Sequence, residues 1–230
     1  MGAAMIHEVD DALRGLLTEG GVPGSGGELA FEAPTTDWTA RRTVPTVNVF
    51  LYDIREDRAR RSTGTTEELD AHGKVTGWRD PPRWFRLSYL VTAWTNRPQD
   101  EHRLLSRALS CLVRRERVED RWLTGSLAEL GLSVTMEAAG PVSQGSAATD
   151  IWSALGGELK PAIDVLVIAP LIGAHTPAGP PVTEGLVLRG DLAPDPGHHL
   201  RYETPTTAEG DGFAPTRPRP TRRKRSNPIR

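Results

Sequence analysis

A single cysteine, Cys111, stands among the 230 residues, so no disulfide can close within the chain. Nothing in its thiol content supports passage through an oxidising compartment. Long apolar runs are missing too, since no stretch approaches the roughly 20 residues that a membrane-spanning helix needs. The beginning of the chain does not read as a signal peptide, because Glu8, Asp10 and Asp11 interrupt its apolar residues. A soluble protein made in the cytoplasm is the expectation. Apolar residues amount to 37% and aromatics to 6%, low for a chain folded from end to end. Charge of one sign is scarce as well: 28 Lys and Arg stand against 30 Asp and Glu. Residues 171–230 hold nine basic against six acidic residues, which leaves the body mildly acidic. Such a body offers no clustered positive surface for specific nucleic-acid recognition.

Catalytic and metal-binding patterns are equally sparse. The six histidines, at 7, 72, 102, 175, 198 and 199, form no HExxH or Cys/His metal spacing, and no nucleophile elbow occurs. His198-His199 lies near Asp195 in a proline-rich context that would not hold a coordination geometry. The VPGSGG run at 22–27 is followed by Glu28-Leu29, where a phosphate-binding loop requires Lys and Ser or Thr, so it reads as a plain loop. Asp53 and Asp57 are the one acidic pair near a strand end, and the neighbouring arginines point to ion pairing rather than general-acid work. Cys111 has no His or Lys motif beside it and reads as a small buried hydrophobe. The residue chemistry is that of a non-catalytic α+β domain without metal or cofactor.

What is present is organised around Asp150–Leu171. Asp150 reads as the N-cap of a turn over Ile151–Leu155, and Gly156-Gly157 supply the positive φ that ends it. Pro161 keeps the helix from resuming. The β-branched run Ala162–Ala169 then predicts a strand covered on both faces. Trp152 and these turn residues are read as scaffold. Elsewhere, helical spacing over Met5–Thr18 predicts an amphipathic helix with Met5, Ile6, Val9, Leu13, Leu16 and Leu17 on its stripe. Thr46–Ile54 predicts a central strand, with Val47, Val49 and Leu51 opposite Phe50, Tyr52 and Ile54. Gln99–Arg115 predicts a second helix, whose stripe includes Leu104, Leu105, Ala108, Leu109, Leu112 and Val113. Val118–Leu130 is amphipathic, Leu132–Met136 suits a short strand, and Ala33–Thr43 reads as an irregular link.

Arg83–Thr95 alternates cleanly. Phe85, Leu87, Tyr89, Val91 and Ala93 face a core, while Trp84, Arg86, Ser88, Leu90, Thr92 and Trp94 share the other side. Apolar residues on that half-polar side either pack under a helix or form a subunit contact. Arg55–Pro82, with Arg58, Arg60 and Arg61, is too long for a hairpin loop and reads as a projecting arm or a mobile insertion, whose arginines could bind an anion or an acidic partner or simply be solvated. After Ile172, ten of the nineteen prolines fall within 171–230, and a basic RRKR cluster sits at 222–225. A domain over 1–172 and a largely disordered basic tail over 173–230, with one edge strand at Gly185–Arg189, is the expected division.

Three pieces in order, PTVNVFLYDIRED (45–57), FRLSYLVTAWT (85–95) with EHRLLSRAL (101–109), and DIWSALGGELKPAIDVLV (150–167), resemble the cap, or tube-terminator, proteins of phage-tail-like contractile injection systems. The resemblance spans about residues 5–172. It implies a mixed α+β domain with a central mixed sheet flanked by helices, and no catalytic residues. It also implies a homohexameric ring that closes the inner tube and engages the last sheath layer, with itself, the tube protein and the sheath protein as partners. The particle would be assembled in the cytoplasm. Trp84, Arg86, Leu90, Trp94, Arg58, Arg60 and Arg61 are the candidate ring or sheath contacts. The alternatives are a tail-completion or connector protein, or an adaptor whose basic tail binds an acidic partner or nucleic acid.

Overall fold

The structure, a computed structural model, describes residues 5–140, 148–156 and 159–179. In chain order its elements are α1 (Met5–Glu19), β1 (Glu28–Ala30), α2 (Thr36–Ala40), β2 (Thr46–Glu56), β3 (Thr66–Leu69), β4 (Val75–Arg79) and β5 (Arg83–Trp94). There follow α3 (Pro98–Leu112), α4 (Gly125–Leu130), β6 (Thr135–Ala138), α5 (Ala148–Ala154), β7 (Ala162–Leu171) and β8 (His175–Pro177). Five strands form one mixed sheet in the order β1-β2-β5-β7-β6, in which only the β1–β2 pair is parallel. The strand after Pro161 therefore lies inside the sheet, between β5 and β6.

One face of this sheet carries the main core. Val47 and Val49 from β2, Leu87, Tyr89, Val91 and Ala93 from β5, and Ile163, Val165, Val167 and Ala169 from β7 point into it. They meet Val9, Leu13, Leu16 and Leu17 of α1, Leu104, Ala108 and Leu112 of α3, and Leu127 of α4. Each large apolar side chain buried here contributes about 1.5–3 kcal/mol of transfer free energy. The helix periods predicted from the sequence give these stripes, with two corrections at their ends. Ile6 is 38% exposed, and Val113, the C-cap residue just past the end of α3, is 54% exposed. Cys111 is buried against the Leu16 carbonyl, and burial pushes its thiol above the usual range, in keeping with a packing role.

Carboxylates inside this layer are matched, whereas the buried Trp122 indole N–H has no hydrogen-bond partner among the described residues. Glu8, an acidic residue outside the predicted apolar stripe of α1, is 4% exposed. Its carboxylate accepts from the Ser126 N–H at 2.9 Å, the Ser126 hydroxyl at 2.7 Å and the Leu127 N–H at 3.1 Å. It thereby satisfies the free N–H groups at the start of α4 from a distant helix. Gly125, at φ +53°, leaves room for that carboxylate, which a Cβ would meet at 2.2 Å. The Tyr89 hydroxyl donates to Asp10 at 2.7 Å, tying β5 to α1. Burial raises the Asp10 carboxyl above its ordinary value despite that bond, and the Tyr89 phenol is pushed up as well.

Several local expectations are corrected by tertiary packing. Ala33–Thr43 contains the short helix α2, capped by the Thr35 hydroxyl accepting from the Trp38 N–H at 3.3 Å. Val118–Leu130 splits into a 3-10 turn at Asp120–Trp122 and the six-residue α4, because Leu123–Thr124 is extended. A bulge at Tyr52 shifts the β2–β5 register, so Ile54 pairs with Leu87 on the core side of the sheet instead of following Phe50 and Tyr52. In β7 the residues alternate: Asp164, Leu166 and Ile168 are only half-covered, so the strand is buried fully on one face alone. Helix α5 begins at Ala148, which places Asp150 in its first turn rather than at its cap, still favourably near the positive end of the helix. Arg55–Pro82 contains a β3–β4 hairpin that β8 extends into a second, three-stranded sheet. Gly157, His198-His199, Gly185–Arg189 and the RRKR cluster lie outside the described residues.

Two measurements check this account. Glu8→Ala leaves the α4 donors buried without an acceptor and should lower the unfolding free energy in denaturant titration by about 1–3 kcal/mol. The raised Asp10 carboxyl contributes stability that is present below its ordinary value of 3.8 and lost as pH rises through the folded-state value. Asp10→Asn removes that loss, so its stability relative to the parent chain should increase between pH 4 and pH 7, and a constant difference would contradict the assignment.

Candidate interaction surfaces

The second face of the large sheet is closed at one end by aromatic side chains. Trp94, at the end of β5, meets Trp38 of α2 edge-on at 5.7 Å and Trp152 of α5 at 6.2 Å. Its indole N–H donates to the Thr92 hydroxyl at 2.9 Å. The Lys160 ammonium lies 4.2 Å from the Trp94 ring centroid and 2.5 Å from the Glu101 carboxylate, which also accepts from the Thr95 N–H at 3.3 Å. The Thr36 hydroxyl donates to the Gly156 carbonyl at 2.8 Å, binding the turn after α5 to α2. Arg42 covers Trp38 at 4.3 Å while pairing with Glu28 and Glu32.

Of the two readings open for this face, packing under a helix describes Trp94. Leu90 is 2% exposed, Thr92 is fully buried, and Trp152, at 2%, is the largest of the fully buried side chains. Trp152 is part of this packed layer, and Trp94 lies against the tryptophans of α2 and α5. Farther along the same face the Tyr52 hydroxyl donates to Asp164 at 2.9 Å, and burial with that carboxylate pushes the phenol up to about 12. A cleft beside this layer, lined by Arg42, Val44, Trp94 and Asn96 among others, encloses about 120 Å³. That is well below the roughly 300 Å³ at which small-molecule sites begin.

At the opposite end of β5 the surface is charged. Asp57 caps the 3-10 turn Arg58–Arg60 by accepting from the Ala59 N–H at 3.3 Å, and its own N–H donates to the Trp84 carbonyl at 2.8 Å. The turn carries Arg60 over the Trp84 ring at 5.0 Å. Glu56 pairs with Arg83 at 2.8 Å and Arg61 at 3.5 Å, and the Arg83 guanidinium holds its carboxyl below the usual range. Asp53 pairs with Arg55 at 2.7 Å, and Asp57 with Arg60 at 3.5 Å. Arg58 and Arg86 have no ion-pair partner among the described residues. Trp84, Arg86, Arg58, Arg60 and Arg61 are therefore brought together, and Leu90 and Trp94 are separated from them.

The second sheet forms an arm beside this cluster. Its hairpin turn is held by Asp70, which accepts from the His72 N–H at 2.8 Å and the Lys74 N–H at 2.9 Å. Glu68 on β3 pairs with Arg79 on β4 and with the His175 Nε2 of β8 at 3.2 Å. The His175 ring lies over Gly77, where a Cβ would sit 2.6 Å from Nε2. Leu69 and Trp78 are exposed at 57% and 38%. Sequence reading missed this sheet because β8 lies almost a hundred residues after the hairpin it completes. Among the described residues no three His, Cys, Asp or Glu side chains converge as metal ligands, and no helix is long and apolar enough to cross a membrane.

The chain matches, over residues 8–184, the family model described as the Pvc16 N-terminal domain. Two solved structures share its fold. One is the PVC sheath/tube terminator of an extracellular contractile injection system in its extended state, at a TM-score of 0.55 and 19% identity, covering 84% of this chain and 67% of that one. The other is the tube-terminating cap of the anti-feeding prophage, at a TM-score of 0.55 and 18% identity, covering 84% and 65%. The chain thus spans about two-thirds of the length of each. No curated protein matches it.

The two ends of β5 should respond differently to truncation. Trp152→Ala removes the side chain that seats α5 and should cost about 3–5 kcal/mol in denaturant unfolding, whereas Arg86→Ala should stay within about 0.5 kcal/mol. Equal losses would mean that the aromatic layer is not a core.

Proposed function

The chain belongs to the Pvc16 N-terminal domain family, and we propose that it is a structural, non-catalytic cap of a contractile injection system. In this reading six copies form a ring at the end of the particle distal from the baseplate. The ring closes the inner tube and engages the last layer of sheath, and the particle is assembled in the cytoplasm. The observation that supports it most directly is the family match over 8–184, together with the fold shared with a sheath/tube terminator and a tube-terminating cap.

The physical task is one-sided recognition. A tube built of stacked rings exposes one unsatisfied ring surface at its growing end. A terminator must match that surface on one side and present no equivalent on the other, so that the next ring finds no partner. A closed ring needs a head-to-tail interface repeated by rotation, with two different patches on each copy. The rigid sheet and its helices suit such a role because they hold those patches at a fixed angle. Trp84, Arg86, Arg58, Arg60 and Arg61, gathered at one end of β5, are the proposed ring or sheath contacts.

Electron microscopy of particles from a strain lacking this protein tests the reading. Tubes of uncontrolled length, or sheaths that contract or fall apart, are the expected outcome. Particles of normal length and stability would sink it.

A further inference from the structure

The two edges of the large sheet are finished in different ways. At the β6 edge the chain segment 116–118 lies alongside, with the Val118 N–H donating to Val134 at 3.0 Å and the Met136 N–H to Glu116 at 2.9 Å. At the other edge β1 pairs only with Thr46, Val47 and Asn48, so β2 from Val49 to Glu56 has no strand on its outer side among the described residues. In the arm, β3 is likewise an outer strand with one side unpaired. A row of free N–H and C=O groups is a template for another strand. The bulge in β2 and the charges on both strands keep that template from accepting an arbitrary partner. They leave a specific one possible.

The side chains say which. Arg55 on β2 lies directly opposite Arg86 on β5, on the face that also carries Asp53. Like charges directly opposite on neighbouring strands destabilise a sheet, and Asp53, bonded to Arg55 at 2.7 Å, is the one carboxylate paired there. The site lacks an anion. On the other side of the same stretch Ile54 is 47% exposed. Strand β3 presents the complement. Glu67 and Leu69 share one exposed face, with Glu67 lacking an ion-pair partner among the described residues, and Glu68 points to the other face. Glu68 is already neutralised by Arg79 and His175. Laid along the lower half of β2, β3 would set Glu67 beside Arg55 and Arg86.

We infer that the arm of one copy docks by its outer strand β3 on the open edge of β2 of a second copy, with Glu67 supplying the anion that Arg55 and Arg86 lack. This rests on the ring reading above and names the contact that closes it. The patches differ, one on the arm and one on the sheet, so the contact is head-to-tail and repeats around a ring.

Charge exchange tests it on the full-length chain, with mass photometry or light scattering over a concentration series. Glu67→Arg and Arg55→Glu alter exposed side chains, and thermal unfolding verifies that each variant is folded. Each alone should raise the concentration needed for half-assembly by about tenfold or more. An equimolar mixture of the two, in which every arm again meets an edge of opposite charge, should return it to near the parent value. A parent chain that stays monomeric at all concentrations overturns the ring reading itself. A parent chain that assembles while both variants assemble equally well, or a mixture that does not recover, overturns the arm-to-edge contact alone.

Discussion

Full-length pairing of β5 on both sides is the constraint from which the rest of the structure follows. β2 holds it along Phe85–Trp94 and β7 along Arg83–Thr92. A strand held on both edges presents two faces, and apolar residues on both must be covered. Leu87, Tyr89, Val91 and Ala93 are covered by α1, α3 and α4. Trp94 is covered at one end by α2 and α5, and Leu90 is buried on the same face. The helices differ in size because the faces differ in apolar content. The first needs two fifteen-residue helices, and the second only two short ones with a tryptophan each.

Polar groups then fix how those layers sit. Glu8 caps a helix more than a hundred residues away, Tyr89 anchors to Asp10, and Lys160 bridges Trp94 and Glu101. None of these would be stable as an isolated charge or donor in a core; each is kept by a partner brought from elsewhere in the chain. A frame tied in this way is suited to holding patches at fixed angles, which is what a repeating assembly requires.

The charged end of the molecule follows a different logic. Arg55, Arg60, Arg61 and Arg83 are each matched by Asp53, Asp57 or Glu56, so the arginines expected to invite an acidic partner are largely neutralised within the chain. What remains distinctive is Arg86, without an ion-pair partner among the described residues and directly opposite Arg55, together with the open edge of β2 and an arm whose outer strand is acidic. Ordering that arm depends on β8, since a hairpin of four- and five-residue strands is marginal by itself and a third strand supplies both ladder bonds and the Glu68–His175 contact.

The strands β2, β5 and β7 and the helices α1 and α3 were legible because period 2 and period 3.6 are properties of the chain itself, and each of these segments is long enough to show its period. The sequence by itself determined these elements, the helix stripes and the core face of β5, and the buried state of Cys111. Tertiary structure alone decided the inward turn of Glu8, the cover over Leu90 and Trp94, the register shift at Tyr52 and the sheet made from the arm. Each of those depends on a partner distant in sequence: Ser126 for Glu8, Trp38 and Trp152 for Trp94, the β5 ladder for Tyr52, and His175 for Glu68. Local pattern reports what a segment prefers, whereas only packing reports what it meets.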